Sequence, residues 1–116
     1  MTGRRAERVG EAIRDAIAEM LLREIKDPRI GMVTLTTVEL TDDLRHASVY
    51  FSCVGDATAQ QRSLSGLRSA AGFMRAQLTR RLQLRLAPEL TFVFDPTLET
   101  AGRLSALLSD THSKDD

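Results

Sequence analysis

Residues 32–54, MVTLTTVELTDDLRHASVYFSCV, contain the most informative pattern of this chain. Its first part, Met32 to Leu40, is rich in β-branched side chains and predicts a strand, and Thr41-Asp42-Asp43 supplies the residues of a turn. A second strand is predicted from His46 to Val54. Because two strands joined by so short a connection pair with each other, the stretch predicts an antiparallel hairpin.

The apolar side chains indicate which face of this hairpin is buried. In the second strand they occupy alternate positions, as expected for a strand with one face in the core: Ala47, Val49, Phe51 and Cys53. In the first strand the alternation changes phase between Val33 and Leu35 on one side and Val38 and Leu40 on the other. This change predicts a β-bulge or a strand end within the first strand.

A helix is predicted before the hairpin, from about Arg4 to Ile25. Apolar residues recur there at spacings of three and four, which places them on one helix face: Val9, Ala12, Ile13, Ala16, Ile17, Met20 and Leu21. Asp27-Pro28 ends the helix, since proline lacks a backbone N–H and disfavours helical backbone in the residue before it.

After the hairpin, a second helical stretch begins near Ala57 and is bounded by Pro88. Glycine inside a helix costs about 1 kcal/mol relative to alanine, so we expect an interruption or bend at the sequence SAAG, residues 69–72, and hence two helices. Alternating apolar residues from Leu90 to Phe94 predict a third strand. Asp95-Pro96 offers an N-cap and a first-turn proline for a last helix, about Thr97 to Leu108.

The predicted order of elements is α-β-β-α-α-β, followed by the short C-terminal helix. Two strands joined directly and a third reached through two helices predict an α+β fold, with a three-stranded sheet and its helices on one face. We expect a single domain over residues 1–109 and a polar, disordered tail over residues 110–116.

The composition agrees with one small soluble domain. The chain has 116 residues, of which 42% are apolar and 28% are charged, and this length is typical of one domain. No apolar run approaches the ~20 residues of a membrane span. The lone cysteine, Cys53, cannot form an internal disulfide, so nothing suggests an oxidising compartment. We therefore expect a cytoplasmic protein that contacts no membrane.

Charge is unevenly distributed, although the 16 basic and 16 acidic residues cancel. Between Ala57 and Pro88 there is no Asp or Glu, and every charged residue is an arginine: Arg62, Arg68, Arg75, Arg80, Arg81 and Arg85. Such a block attracts polyanions whatever the net charge, unless it is merely a solvated helix face. The expected joint near Gly72 would add free backbone N–H groups at a helix start, where phosphates bind.

Catalytic and metal-binding patterns are sparse. A nucleophile needs a base and an orienting acid within hydrogen-bond reach, but the two histidines are His46, beside a turn, and His112, in the predicted tail. Zinc requires about four Cys or His ligands at motif spacing, which these residues and Cys53 do not supply. Neither a GxGxxG nor a Walker A motif is present. We therefore expect no enzyme, no cofactor and no metal.

A series of short segments carries a further signal through its order and spacing. The segments are Arg8-Val9, Glu24-Ile25-Lys26-Asp27-Pro28-Arg29 with Gly31, Asp43-Leu44-Arg45-His46-Ala47 with Val49-Tyr50, Ala70-Ala71-Gly72-Phe73 with Arg80-Arg81-Leu82, and Pro88-Glu89-Leu90-Thr91-Phe92. With these segments, roughly from Arg8 to Leu108, the chain resembles the bacterial ribosome-binding factor A family.

The resemblance implies a type II KH-like domain, in which an Ala-x-Gly kink, matched by Ala70-Ala71-Gly72, replaces the GxxG loop of common KH domains. It also implies a non-catalytic, cytoplasmic ribosome assembly factor that binds the immature small ribosomal subunit and its rRNA. Such a factor assists late maturation and 5′-end processing of small-subunit rRNA, and the family is linked to growth in the cold. A monomer that works with an assembly GTPase is expected by family analogy.

The residues expected to bind RNA combine the arginine-rich segment with the segments that carry the resemblance. They are Arg8, Lys26, Arg29, Arg45, His46, Arg68, Ala70, Ala71, Gly72, Arg75, Arg80, Arg81 and Arg85. Arg75 lies on the predicted buried stripe, so either a bend resets the helix phase or its stem runs along the apolar surface. Two alternatives stay open: a protein-interaction module with solvated arginines, and, ranked last, a hydrolase that uses His46 and Asp43.

Overall fold

The structure, a computed structural model, describes residues 3–95. Five elements follow one another in this part of the chain: helix α1 (Arg4–Arg23), strand β1 (Val33–Leu40), strand β2 (His46–Cys53), helix α2 (Ala57–Arg81) and strand β3 (Glu89–Phe94). The predicted C-terminal helix, Thr97 to Leu108, and the predicted tail, residues 110–116, lie outside the described residues.

Strands β1 and β2 form the predicted antiparallel hairpin. The pairing register shifts between Leu35 and Thr37 and leaves Thr36 without a partner in the ladder. Of the two predicted alternatives, a bulge and a strand end, the bulge is therefore the one observed. The Thr36 hydroxyl is bonded instead to the Tyr50 carbonyl at 3.3 Å and to Asp95 Oδ2 at 3.2 Å. The change of apolar phase along β1 therefore has a structural cause, since the extra residue reverses the direction of the side chains that follow it.

Strand β3 pairs in parallel with β2, so the sheet is mixed and has the order β1-β2-β3. Val49 lies opposite Phe92 and Phe51 opposite Phe94, and the two Phe rings of the second pair meet edge to face with their centroids 5.8 Å apart. These side chains share the face of the sheet that both helices cover. The predicted α+β class, with a three-stranded sheet and helices on one face, is confirmed.

Helix α1 buries one face against the sheet, as its periodicity predicts. Ile13, Ile17 and Met20 are fully buried there. Near its start the helix approaches β1 closely, because a Cβ atom on Gly10 would lie 2.7 Å from the Val38 carbonyl oxygen. Only a residue without a side chain allows this approach, so glycine sets the distance between helix and strand.

Helix α2 is continuous from Ala57 to Arg81, so the expected interruption at residues 69–72 is wrong, whereas a bend there stays a prediction. Its first turn is capped by Asp56, which accepts a hydrogen bond from the Ala59 N–H at 3.0 Å. Leu67, Met74 and Leu78 are fully buried on the two sides of residue 72. Burial of one such side chain contributes about 1.5–3 kcal/mol, which exceeds the cost of a single glycine, about 1 kcal/mol.

This continuity changes two expectations. The described elements follow the order α-β-β-α-β, because the two helices predicted before the last strand are one helix. The N–H groups near residue 72 are also not free, since in an uninterrupted helix each donates to the carbonyl four residues earlier. The anion site expected at a helix start is therefore absent from this part of α2.

Neither α1 nor α2 is long and apolar enough to cross a membrane. Within residues 3–95, no three or more His, Cys, Asp or Glu side chains are grouped so that they could hold a metal ion.

Candidate nucleic-acid interface

One side of α2 is exposed over the whole length of the helix. The exposed positions recur at spacings of three and four, and we call them the α2 face: Thr58, Gln61, Arg62, Ser65, Arg68, Ser69, Gly72, Phe73, Ala76, Thr79 and Arg80. Because the helix is uninterrupted, these residues form one stripe, which the expected break would have divided. The stripe contains three arginines and no acidic residue.

On the α2 face, arginines are separated by small side chains. Arg62, Arg68 and Arg80 make no side-chain hydrogen bond or ion pair within residues 3–95. The positions between them hold small side chains, namely Ser65, Ser69, Gly72 and Ala76. A polyanion can therefore approach the helix backbone closely while the longer arginine side chains reach its phosphates. Arg62 belongs to this face, although it was not among the predicted RNA contacts.

Gly72 lies near the middle of the α2 face. A Cβ atom added there would meet no atom within 4 Å, and the backbone at this position has no positive φ. Neither packing nor backbone conformation within the described residues therefore requires a glycine. The remaining consequence of the missing side chain is an accessible stretch of helix backbone.

Arg29 is held by Asp27 beside the N-terminal half of α2. Its Nε and Nη2 atoms donate to the two carboxylate oxygens at 3.1 and 2.7 Å, and its backbone N–H donates to Oδ1 at 2.9 Å. These bonds, the side-chain bond foremost, lower the pKa of Asp27 from 3.8 to about 2. Nη1 also donates to Ser65 on the α2 face at 3.3 Å, so Arg29 borders that face with its charge largely compensated.

Arg81 connects the C-terminal ends of the two helices. Its Nη2 atom donates to Glu24, the residue that caps α1, and Nε donates to Gln77 at 3.3 Å. The hydrogen bond with Glu24 raises the pKa of the Arg81 guanidinium. Both residues belong to segments that carry the family resemblance, and their contact gives those segments a structural role.

Arg75 runs along the inner side of α2 toward the loop before β3. Nε donates to the Pro88 carbonyl at 3.0 Å and Nη2 donates to the Ala87 carbonyl at 3.1 Å. The helix phase is therefore not reset, and of the two predicted alternatives the side chain that extends along the surface is the one observed. Arg75 fixes the loop, and its donors are turned away from the α2 face.

The other predicted contacts fall into three groups. Ala70 and Ala71 are half-buried and pack against the core, on the sides of α2 that flank the α2 face. Arg8 and Lys26 are exposed outside α2, and His46 is exposed at the first residue of β2. Arg45 and Arg85 line a common cleft together with Arg5. Arg5 was not predicted, because no sequence spacing connects these three separate segments.

Comparisons with known proteins agree with the resemblance noted in the sequence. The family model of ribosome-binding factor A matches residues 5–108. Ribosome-binding factor A of Geobacter metallireducens is 40% identical over 112 residues, which cover 97% of this chain and 95% of that protein.

A crystal structure and a fitted homology model of related proteins have a similar fold. The crystal structure of ribosome-binding factor A from Thermus thermophilus superposes with a TM-score of 0.68 at 27% identity, over 77% of this chain and 93% of that one. A homology model of Thermus thermophilus ribosome-binding factor A has been fitted into a cryo-EM map of a 30S–RbfA complex. It superposes with a TM-score of 0.65 at 26% identity, over 78% of this chain and 96% of that one. The chain belongs to the ribosome-binding factor A family.

Proposed function

We propose that this protein is a non-catalytic assembly factor that binds the immature small ribosomal subunit through its rRNA. It then assists late maturation of the subunit, including processing of the 5′ end of small-subunit rRNA by nucleases. Membership of a ribosome-binding family supports the binding partner, and a related protein has been placed in a 30S complex. The α2 face, an uninterrupted cationic stripe without an acidic residue, is the observation that supports RNA as the part of the subunit that the protein contacts.

The α2 face suits the phosphate backbone of a folded RNA. Arg62, Arg68 and Arg80 would each neutralise phosphates and release their counterions, while the small residues between them allow the backbone of the RNA to come close. Phe73, exposed 44%, is the aromatic ring on this face. One ring gives little base stacking, so the protein would recognise shape and phosphates more than base identity.

The hydrolase alternative receives no support from the geometry at the hairpin turn. Asp43 Oδ1 accepts the Thr41 hydroxyl at 2.6 Å and the Arg45 backbone N–H at 3.0 Å. These bonds hold the carboxylate as part of the turn, and within residues 3–95 no hydrogen bond connects it to His46. We extend the proposal to a cytoplasmic monomer whose release depends on an assembly GTPase, by analogy with the family alone.

Co-sedimentation with free small subunits, free large subunits and whole ribosomes across a salt series tests the proposal. Selective binding to free small subunits that weakens as salt rises is the expected result. Equal binding to all three particles, or binding to none, would contradict it.

A pair of charge variants tests the contact with RNA. Arg68→Glu with Arg80→Glu should weaken small-subunit binding without unfolding the protein. The matched control is Arg14→Glu with Arg23→Glu on α1, which changes the net charge equally at solvent-accessible side chains. If the two double variants bind alike, the α2 face is not the RNA contact. If both also bind like the unmodified chain, the protein-interaction alternative is favoured.

A further inference from the structure

A cleft lies at the end of the molecule where three separate segments meet. The start of α1, the turn between β1 and β2, and the loop between α2 and β3 enclose a volume of about 370 Å³. Such a volume lies in the range of sites that hold a small organic group. The cleft is distinct from the α2 face, since it shares no residue with that stripe.

Three arginines line the cleft, one from each segment: Arg5, Arg45 and Arg85. All three are exposed, and none of their side chains forms a hydrogen bond or ion pair within the part of the chain described by the structure. Guanidinium groups whose N–H donors are not engaged attract phosphate, because they donate several hydrogen bonds in a fixed fork.

One acidic residue, Asp43, also lines the cleft. Its carboxylate already accepts the Thr41 hydroxyl and the Arg45 N–H, and these bonds, with the nearby Arg45 and His46, lower its pKa. Asp43 is therefore a charged part of the turn, and three cations against one anion leave the cleft positive.

Apolar side chains also line the cleft, and three of them are leucines of the turn and the loop: Leu44, Leu84 and Leu86. Val9, Leu40 and Pro88 complete the apolar lining. Leu86 is 69% exposed, so part of this apolar wall is open to solvent. An apolar wall beside phosphate-binding groups fits the flat face of a nucleobase.

The backbone is unusual at both loops of the cleft. Within residues 3–95 the non-glycine residues with positive φ are Leu44, at 62°, and Gln83, at 54°. The first is a cleft residue and the second directly precedes Leu84. Bulky side chains disfavour this conformation, and such strain is found where the surrounding structure must hold a side chain in one position.

We propose that this cleft binds one unpaired nucleotide of a single-stranded RNA segment, with its phosphates on Arg5, Arg45 and Arg85 and its base against Leu44, Leu84 and Leu86. The inference rests on the proposed function and deepens it, since the cleft would take an unstacked nucleotide while the α2 face follows the backbone of folded RNA. A concave site of this size admits one nucleotide and excludes a duplex.

Fluorescence anisotropy with labelled hexauridine and with an abasic hexamer of the same charge tests the cleft. Arg45→Gln with Arg85→Gln should weaken binding of both probes by about 10-fold or more, since two charge-assisted contacts are lost. Leu84→Ala with Leu86→Ala should weaken hexauridine binding by about 3-fold and leave the abasic probe unchanged. The matched control, Arg14→Gln with Arg23→Gln, should alter neither by more than about 2-fold.

Circular dichroism shows first that each variant is folded. An arginine variant that binds hexauridine as the unmodified chain or as the α1 control does would overturn the inference. The inference would also be overturned if the leucine variant lost affinity for both probes equally. The same holds if a polyglutamate peptide bound the cleft as tightly as hexauridine does. Co-sedimentation of the unmodified chain with small subunits distinguishes the two proposals. Absence of that binding contradicts the proposed function, whereas binding together with a negative cleft result contradicts this inference alone.

Discussion

Gly72 is exposed in the middle of α2, at a place where an added Cβ atom would meet no atom of residues 3–95 within 4 Å. Replacing it with alanine should raise the free energy of unfolding by about 1 kcal/mol, because alanine loses less backbone entropy in a helix. The same methyl group would cover the accessible backbone and weaken small-subunit binding. Urea denaturation measures the first effect, and co-sedimentation at fixed salt measures the second.

Ser69→Ala is the control for Gly72→Ala. It lies one turn earlier on the α2 face, removes a hydroxyl and adds no atom above the backbone. We expect it to bind small subunits like the unmodified chain. A Gly72→Ala protein that is more stable and still binds fully would show that close backbone approach at residue 72 has no part in binding.

Asp27 and Arg29 predict a specific dependence of stability on acid. The pKa of Asp27 is lowered to about 2 in the folded protein, from an ordinary value of 3.8, chiefly by its side-chain bond with Arg29. The stabilising contribution is therefore complete above pH about 4 and is lost as the pH falls toward about 2. Unfolding by urea at a series of pH values should show this loss of stability. In the Asp27→Asn protein, the part of the pH dependence that comes from Asp27 should be absent. Identical pH profiles for the two proteins would mean that the ion pair does not stabilise the fold.

Within helix α2, Arg75 and Arg80 should differ in what they contribute, the first to stability and the second to RNA binding. Arg75 donates to the Ala87 and Pro88 carbonyls, so Arg75→Met should lower the free energy of unfolding by roughly 2 kcal/mol, the magnitude of hydrogen bonds to a charged donor. Arg80 is exposed and makes no such bond within residues 3–95. Arg80→Met should leave stability within about 0.5 kcal/mol and weaken RNA binding.

Thermal or urea unfolding, together with co-sedimentation of folded protein, measures both variants. The comparison is matched because each substitution removes one charge from the same helix and retains an apolar stem. If Arg75→Met is as stable as Arg80→Met, the contacts with the loop before β3 contribute nothing to the fold.

The sequence predicts the elements of this fold well where a local pattern determines them. The hairpin follows from its short turn and alternating residues, and the phase change along β1 correctly indicates the bulge at Thr36. The continuity of α2 could not be predicted, because a local propensity cost at Gly72 competes with burial of Leu67, Met74 and Leu78 that only the tertiary structure reveals.

The candidate site was predictable in its charge but not in its geometry. The absence of acids between Ala57 and Pro88 indicates a cationic surface. The sequence cannot show that Arg29, Arg75 and Arg81 bind partners within the protein, because Glu24 and Arg81 meet only through the packing of two helices. It also cannot show that Arg5, Arg45 and Arg85 meet at one cleft.

For the whole molecule, the formal charge of zero conceals a separation of charge that should govern its affinity for RNA. Polyanion binding depends on local potential rather than on net charge, so a neutral protein with such a face should still bind RNA with a strong dependence on salt. The three arginines of the α2 face, Arg62, Arg68 and Arg80, are the groups expected to set that dependence.

Replacing Arg62, Arg68 and Arg80 together with glutamine tests this expectation. Each phosphate contact contributes roughly −0.7 for a single strand to −0.9 for a duplex to the slope of log affinity against log salt, so the triple variant should have a slope smaller in magnitude by about 2 to 3. Affinity for small subunits, measured at several salt concentrations, gives the slope directly. The control with Arg14→Gln and Arg23→Gln should keep the original slope. A triple variant that loses affinity equally at every salt concentration would mean that these arginines act through the shape of the face and not through phosphate contacts.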